Sequence, residues 1–199
     1  MSKKNNNFLF NFIAPVYGLF YQRQKVNFKS AIEGARQAFD LTAFASILDV
    51  GCGTGALCSV LHEKGLTVTG IDPAPKMLTI ARKHPENDAI SFVQGSVLQK
   101  LPFSDRSFDL SIASYVAHGL QKKEREKMYA EMSRVSRKYV IIYDYNQKRA
   151  LLTSIVEWLE GGDYFRFIKE AEQELSACFS QVRIVQVGTR AAWYICTPR

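Results

Sequence analysis

The segment ILDVGCGTGALCSVL, residues 47–61, decides the fold of this chain. An apolar run ends in Asp49 and Val50, three glycines follow at alternate positions, and apolar residues then recur at helical spacing. Glycines at a strand-to-helix turn let the chain bend tightly and let a ligand approach the main chain without meeting a Cβ atom. We therefore predict a strand, a ligand-binding loop and a helix. The glycines are Gly51, Gly53 and Gly55.

Short apolar runs alternate with amphipathic segments along most of the chain, a pattern typical of a parallel α/β sheet. The predicted strands are SILDV, LTVTGID, AISFVQG, SFDLSIASY and KYVIIYDY, and the helices between them are ALCSVLHEKG, PKMLTIARKH and KEREKMYAEMSRV. Two further helices are predicted around ALLTSIVEWLE and DYFRFIKEAEQELSA. QVRIVQV and AAWYICT then flank GTR as a β-hairpin. We expect a doubly wound, Rossmann-like, mostly parallel seven-stranded sheet with a C-terminal antiparallel hairpin.

Composition indicates one soluble globular domain. The chain has 199 residues, 47% of them hydrophobic and 23% charged. Its net charge of +7 is spread along the chain, so it points only weakly to a nucleic-acid partner. The four cysteines have no zinc-ligand spacing, which predicts reduced thiols, no metal and a cytoplasmic location. No signal peptide and no membrane span are expected. Residues 1–40 are predicted to form an N-terminal helical cap over the ligand crevice, and residues 41–199 the main domain.

Two ligand classes fit the glycine loop. Gly51-x-Gly53-x-x-Ala56 satisfies the dinucleotide pattern, and Asp72 ends the second predicted strand, where a ribose-binding acid belongs. Asp49, directly ahead of the loop, would repel a pyrophosphate but would suit a ligand that carries an ammonium group. The residues therefore favour such a ligand over a nicotinamide cofactor, which stays an alternative.

The combination of LDVGCGTG, VTGIDPAPKML and FVQGSVLQKLPFSDRSFDLSIAS resembles the class I S-adenosylmethionine-dependent methyltransferases. It is similar to their small-molecule type, which includes the ubiquinone and menaquinone C-methyltransferases. The resemblance covers about residues 40–145. It implies an enzyme, a methyltransferase domain over residues 41–199, S-adenosylmethionine as cofactor and an apolar or aromatic small-molecule acceptor. A monomer or a homodimer is expected.

The resemblance also implies cofactor contacts. Asp49 and the loop main chain would hold the methionine end, and Asp72 would accept both ribose hydroxyls. Ser96 stands where the family commonly has an aspartate that faces the adenine amino group. The residues expected at the cofactor are Asp49, Gly51, Cys52, Gly53, Gly55, Asp72, Pro73, Met77, Ser96, Val97 and Ser114.

The acceptor pocket is expected after the fourth and fifth strands. His118 is the candidate general base or acceptor-binding group, and its alternative is a capping or solvent-facing histidine. FNFIAPVYGLFY is similar to the N-terminal stretch that helps close the site of quinone-type enzymes, which makes Tyr17 and Tyr21 further catalytic candidates. Gly18 replaces the aspartate that usually follows this tyrosine, and packing on the rim of the sheet is the alternative for both. The other pocket residues are Ser114, Tyr115, Asp144, Tyr145 and Asn146.

Two other functions share this fold. A nucleic-acid methyltransferase is motivated by the positive charge, and a catalytically silent binding module by the unusual Ser96. The chain lacks an Asn-Pro-Pro-Tyr run after the fourth strand, a Pro-Cys nucleophile and an acidic cluster for magnesium. These absences favour a small-molecule acceptor over nucleic acid.

Overall fold

The computed structural model describes residues 20–146 and 164–199. Tyr17 and the predicted helix ALLTSIVEWLE lie outside the described residues. In the described part, five α-helices flank one seven-stranded sheet. The helices are α1 (Tyr21–Ala35), α2 (Ala56–Glu63), α3 (Pro75–Ala81), α4 (Lys122–Val135) and α5 (Tyr164–Cys178). The strands are β1 (Ser46–Val50), β2 (Thr67–Asp72), β3 (Ser91–Gln94), β4 (Phe108–Ser114), β5 (Ser136–Tyr145), β6 (Gln181–Gly188) and β7 (Ala191–Thr197).

The sheet has the strand order β3-β2-β1-β4-β5-β7-β6. The first five strands are parallel, and β7 runs antiparallel between β5 and β6. This arrangement confirms the predicted fold class, including the terminal hairpin. The strand order reverses beside β1, and in open α/β sheets ligands bind at the carboxyl ends of the strands at such a point.

Helices cover both faces of the sheet because its strands are apolar on both sides. In β7, Trp193 and Ile195 join the hydrophobic cluster on one face, and Ala192 and Tyr194 join the cluster on the other. Helices α1, α2 and α3 contribute to the first cluster, and α4 and α5 to the second. No helix in the two described ranges is long and apolar enough to cross a membrane.

Helix α1 is the described part of the predicted N-terminal cap. It packs on α2 and β6, and its Lys25 and Lys29 contact the Glu63 carboxylate of α2 at 2.7 and 2.6 Å. Ala31 and Ile32 enter the core beneath it. Residues 21–35 therefore lie on a face of the sheet, and a cap over the crevice stays a prediction for the residues before them.

Two element boundaries differ from the prediction. Helix α3 ends at Ala81, and Pro85 begins a short 3-10 turn. His84 is extended (ψ 117°) because a residue that precedes proline disfavours the helical conformation. Strand β5 begins at Ser136, directly after α4, where the Ser136 hydroxyl donates to Ser111 Oγ at 2.8 Å.

Candidate functional site

The glycine loop connects β1 to α2, and its glycines have φ values of +72°, +53° and +80°. A Cβ on Gly51 would lie 2.6 Å from Val116 Cγ2, and one on Gly55 would lie 2.9 Å from the Asn87 side chain. A Cβ on Gly53 would meet nothing within 4 Å. Packing within the protein therefore requires glycine at positions 51 and 55. The space beside the Gly53 Cα atom is open, so a ligand can approach there.

Asp49 lies in β1 just before this loop and is 1% exposed. The Cys58 thiol of α2 donates to its Oδ2 at 3.1 Å, whereas Oδ1 has no hydrogen-bond partner among the described residues. Burial raises the pKa of the Asp49 carboxyl to about 7, and the nearby Asp72 charge acts in the same direction. Because buried polar atoms are normally paired, Oδ1 fits a ligand that brings a positively charged donor.

Asp72 ends β2, the strand beside β1. Its Oδ2 accepts the Gly53 amide at 2.9 Å and its Oδ1 accepts the Ala74 amide at 2.8 Å. Burial raises its pKa, and the two amide donors oppose that shift. Each carboxylate oxygen can accept more than one hydrogen bond, so this fixed carboxylate can also receive two hydroxyls of a ligand.

The residues expected around an adenine ring follow β2 and β3. Met77 is buried with Ala74 in a small apolar cluster, Val97 is buried, and Pro73 is half-buried. The Ser96 hydroxyl accepts the Leu98 amide at 3.3 Å and so shapes its own loop. The hydroxyl proton of Ser96 can still be donated to a ligand.

Cys52 and Ser114 complete the predicted cofactor set. Burial raises the pKa of the Cys52 thiol, which therefore stays protonated near neutral pH. Ser114 ends β4, and its buried Oγ has no hydrogen-bond partner among the described residues. The described ranges contain no group of three or more His, Cys, Asp or Glu side chains that could hold a metal ion.

His118 lies in a 3-10 turn (Ala117–Gly119) after β4 and is paired with Asp144 of β5. Its Nδ1 lies 2.8 Å from Asp144 Oδ1, and its main-chain amide donates to Asp144 Oδ2 at 3.2 Å. The Asp144 side chain is fully buried. A carboxylate partner at Nδ1 places the ring proton there and makes Nε2 the basic nitrogen. The sequence predicts both residues at the acceptor pocket but does not indicate that they pair with each other.

An aromatic wall surrounds this pair. We define it as His118, Tyr115, Tyr143, Tyr145 and Tyr164, whose neighbouring ring centroids are 4.9 to 6.4 Å apart. Burial raises the pKa of Tyr115 and Tyr143, so both phenols stay neutral. Tyr143 and Tyr164 are buried within the wall, and Tyr115 is its most exposed member. The sequence did not predict Tyr143 or Tyr164 at the acceptor pocket. Tyr143 lies within strand β5, and Tyr164 begins helix α5, which is remote in sequence from His118.

Tyr21, a predicted catalytic residue, lies elsewhere. It is 1% exposed, its ring stacks on His84 at 3.6 Å, and its hydroxyl donates to Asn87 Oδ1 at 3.4 Å. Neither partner belongs to the aromatic wall. The structure thus gives Tyr21 packing contacts, the alternative left open by the sequence, and Tyr17 lies outside the described residues.

The fold is that of a class of methyl-transferring proteins. The structure of a putative S-adenosylmethionine-dependent methyltransferase from Methanococcus maripaludis superposes with a TM-score of 0.70 at 18% identity, covering 94% of this chain and 92% of that one. The methyltransferase domain family matches residues 47–139. The fold and this match over residues 47–139 support a class I S-adenosylmethionine-dependent methyltransferase.

Two curated relatives carry the same name. The demethylmenaquinone methyltransferase of Thermus thermophilus is 36% identical over 135 residues, which cover 64% of this chain and 59% of the relative. That of Chlorobaculum tepidum is 34% identical over 113 residues, covering 54% of this chain and 46% of the relative. The chain thus matches about half the length of these relatives.

Proposed function

We propose that this chain transfers the methyl group of S-adenosylmethionine to a small aromatic acceptor. The observation that carries the proposal is the placement of Asp49, Gly53 and Asp72 at adjacent strand ends, joined by the hydrogen bond from Gly53 to Asp72. S-adenosylmethionine supplies a methyl group on a positively charged sulfur and offers an ammonium group and a ribose without any diphosphate. A pyrophosphate would instead meet the buried Asp49 carboxylate.

Each end of the cofactor has its own residues in this proposal. Asp49 Oδ1 pairs with the ammonium group, and Asp72 accepts the two ribose hydroxyls at the open face of Gly53. Gly51, Gly55 and Cys52 shape the loop, and Ser114 lies at its edge. The adenine ring packs against Pro73, Met77 and Val97, and Ser96 hydrogen-bonds to its rim.

The acceptor lies against the aromatic wall and loses its proton to His118. The catalysed step needs alignment, a dry pocket and a base for a weakly acidic acceptor. The buried Asp144 holds the imidazole so that Nε2 accepts the proton, and it stabilises the imidazolium that results. The relatives named for demethylmenaquinone support a planar aromatic acceptor.

Transfer of a tritiated methyl group from S-adenosylmethionine to 1-naphthol and naphthohydroquinone tests this function. We expect labelled aromatic product with the wild type, and a rate lower by about 10² to 10⁴ for His118→Gln because the general base is lost. His62→Gln, on the α2 helix, is the matched control and should keep the rate. A His118→Gln variant that transfers at the wild-type rate would exclude His118 as the base. Transfer of the label to RNA added to the assay, and not to the aromatic compounds, would favour the nucleic-acid alternative.

A further inference from the structure

Tyr115 has a backbone conformation that bulky residues rarely adopt. Its φ is +54°, and among the described residues only Arg106 is another non-glycine residue with positive φ. The Tyr115 amide donates to Tyr143 O at 2.8 Å, directly after Ser114 pairs with Tyr143 in the sheet. This hydrogen bond fixes the Tyr115 amide at the end of β4, and the positive φ there costs less with asparagine or glycine.

Tyr115 is only partly buried despite this strain. The residue is 39% exposed and is one of three exposed large hydrophobic residues in the described part of the chain. Its ring lies 5.1 Å from Tyr143 and 5.3 Å from Tyr145, so it contacts the aromatic wall and remains partly open to solvent. Tyr115 thus combines a strained backbone with surface that is available to a ligand.

The residues that follow Tyr115 contact the glycine loop on one side and form the His118 turn on the other. Val116, the next residue, covers Gly51 of the glycine loop. His118 follows in the same turn, with its ring centroid 6.4 Å from that of Tyr115. Tyr115 therefore adjoins Val116, which contacts the loop, and its ring lies beside His118 of the His118–Asp144 pair.

We propose that Tyr115 is the acceptor-specificity residue, whose exposed ring packs against a planar aromatic acceptor and selects it over a saturated one. This inference rests on the proposed function, since it assigns a residue to the acceptor half of that site. A ring that already packs against Tyr143 and Tyr145 loses little freedom on binding, and ring-to-ring packing adds to the burial of apolar area.

Calorimetric titration with 1-naphthol and its saturated analogue decahydro-1-naphthol, in the presence of S-adenosylhomocysteine, tests the proposal. The wild type should prefer 1-naphthol by about tenfold. Tyr115→Asn should lose this preference while its melting temperature stays equal to or above that of the wild type and its S-adenosylhomocysteine affinity is unchanged. Tyr115→Phe, which keeps the ring, should keep the preference.

Arg106→Asn is the matched control, because it relieves the same backbone strain before β4 begins, at the other end of that strand. It should leave the affinity for 1-naphthol unchanged. A Tyr115→Asn variant that keeps the wild-type preference overturns the proposal, as does one whose melting temperature falls together with its affinity. A wild type that binds no S-adenosylhomocysteine overturns the proposed function instead, and titration with 1-naphthol alone then decides the role of Tyr115.

Discussion

Asp49 combines nearly complete burial with a carboxylate oxygen that has no partner among the described residues. Burial raises its pKa from 3.8 to about 7, so the folded protein retains a proton that the unfolded chain releases near pH 4. The stabilisation that comes from the protonated form is complete at low pH and is lost as the pH rises toward 7. Asp49 therefore makes the ligand-free protein less stable at neutral pH than at mildly acidic pH.

Asp49→Asn should remove this pH dependence. Between pH 5 and pH 7 the wild type should lose about 2 kcal/mol of unfolding free energy relative to the variant, since a retained proton contributes about 1.4 kcal/mol per pH unit. Urea denaturation of both proteins at the two pH values measures the difference. Parallel pH profiles would show that Asp49 ionises freely in the folded protein.

Among the elements, the loop between β1 and α2 contains glycines of two kinds. Packing requires Gly51 and Gly55, whereas we propose that Gly53 makes room for the ligand. Gly53 and Gly65 both have positive φ, and a Cβ on either would meet nothing within 4 Å. Alanine at either position should cost about 1–2 kcal/mol of stability through backbone strain. Only Gly53→Ala should also weaken S-adenosylhomocysteine binding, because Gly65 lies at the other end of α2. Equal calorimetric affinities for the two variants would show that Gly53 does not face the ligand.

Helices α4 and α5 are joined by a buried ion pair beside the His118 turn. Arg125 makes two hydrogen bonds to Glu174, at 2.8 and 2.7 Å, and a third to Leu120 O at 2.6 Å. The guanidinium is fully buried and the carboxylate is 4% exposed. The pair thus ties α5, which begins at Tyr164 of the aromatic wall, to the turn that carries His118.

Removing one partner should cost more than removing both. Glu174→Met leaves an unpaired buried guanidinium and should cost about 3–5 kcal/mol of unfolding free energy. The double variant Arg125→Met, Glu174→Met should recover part of that loss, although Leu120 O then lacks its donor. Urea unfolding of the two variants measures this, and a double variant less stable than the single one would contradict it.

For the molecule as a whole, the sequence predicted those features of the fold that depend on local sequence pattern. Strand and helix order followed from hydrophobic periodicity, and the glycine spacing predicted the loop between β1 and α2. The pairing of His118 with Asp144 depends on the register of β4 against β5, which no local pattern specifies. The packing of Tyr21 against His84 likewise depends on how α1 docks, and the Arg125–Glu174 pair on how α5 packs against α4.

Calorimetric titration with S-adenosylhomocysteine shows whether Asp72 binds the cofactor, on which the proposed function depends. Asp109 is a matched control for Asp72, since it too accepts two main-chain amides, those of Ala45 and Ser46, but at the amino end of its strand. We predict one site per wild-type chain, retained in Asp109→Ala and weakened in Asp72→Ala by about 1.5–3 kcal/mol through loss of a charged hydrogen bond. No binding to the wild type at millimolar ligand, or equal affinities for the two variants, would rule out the proposed cofactor site.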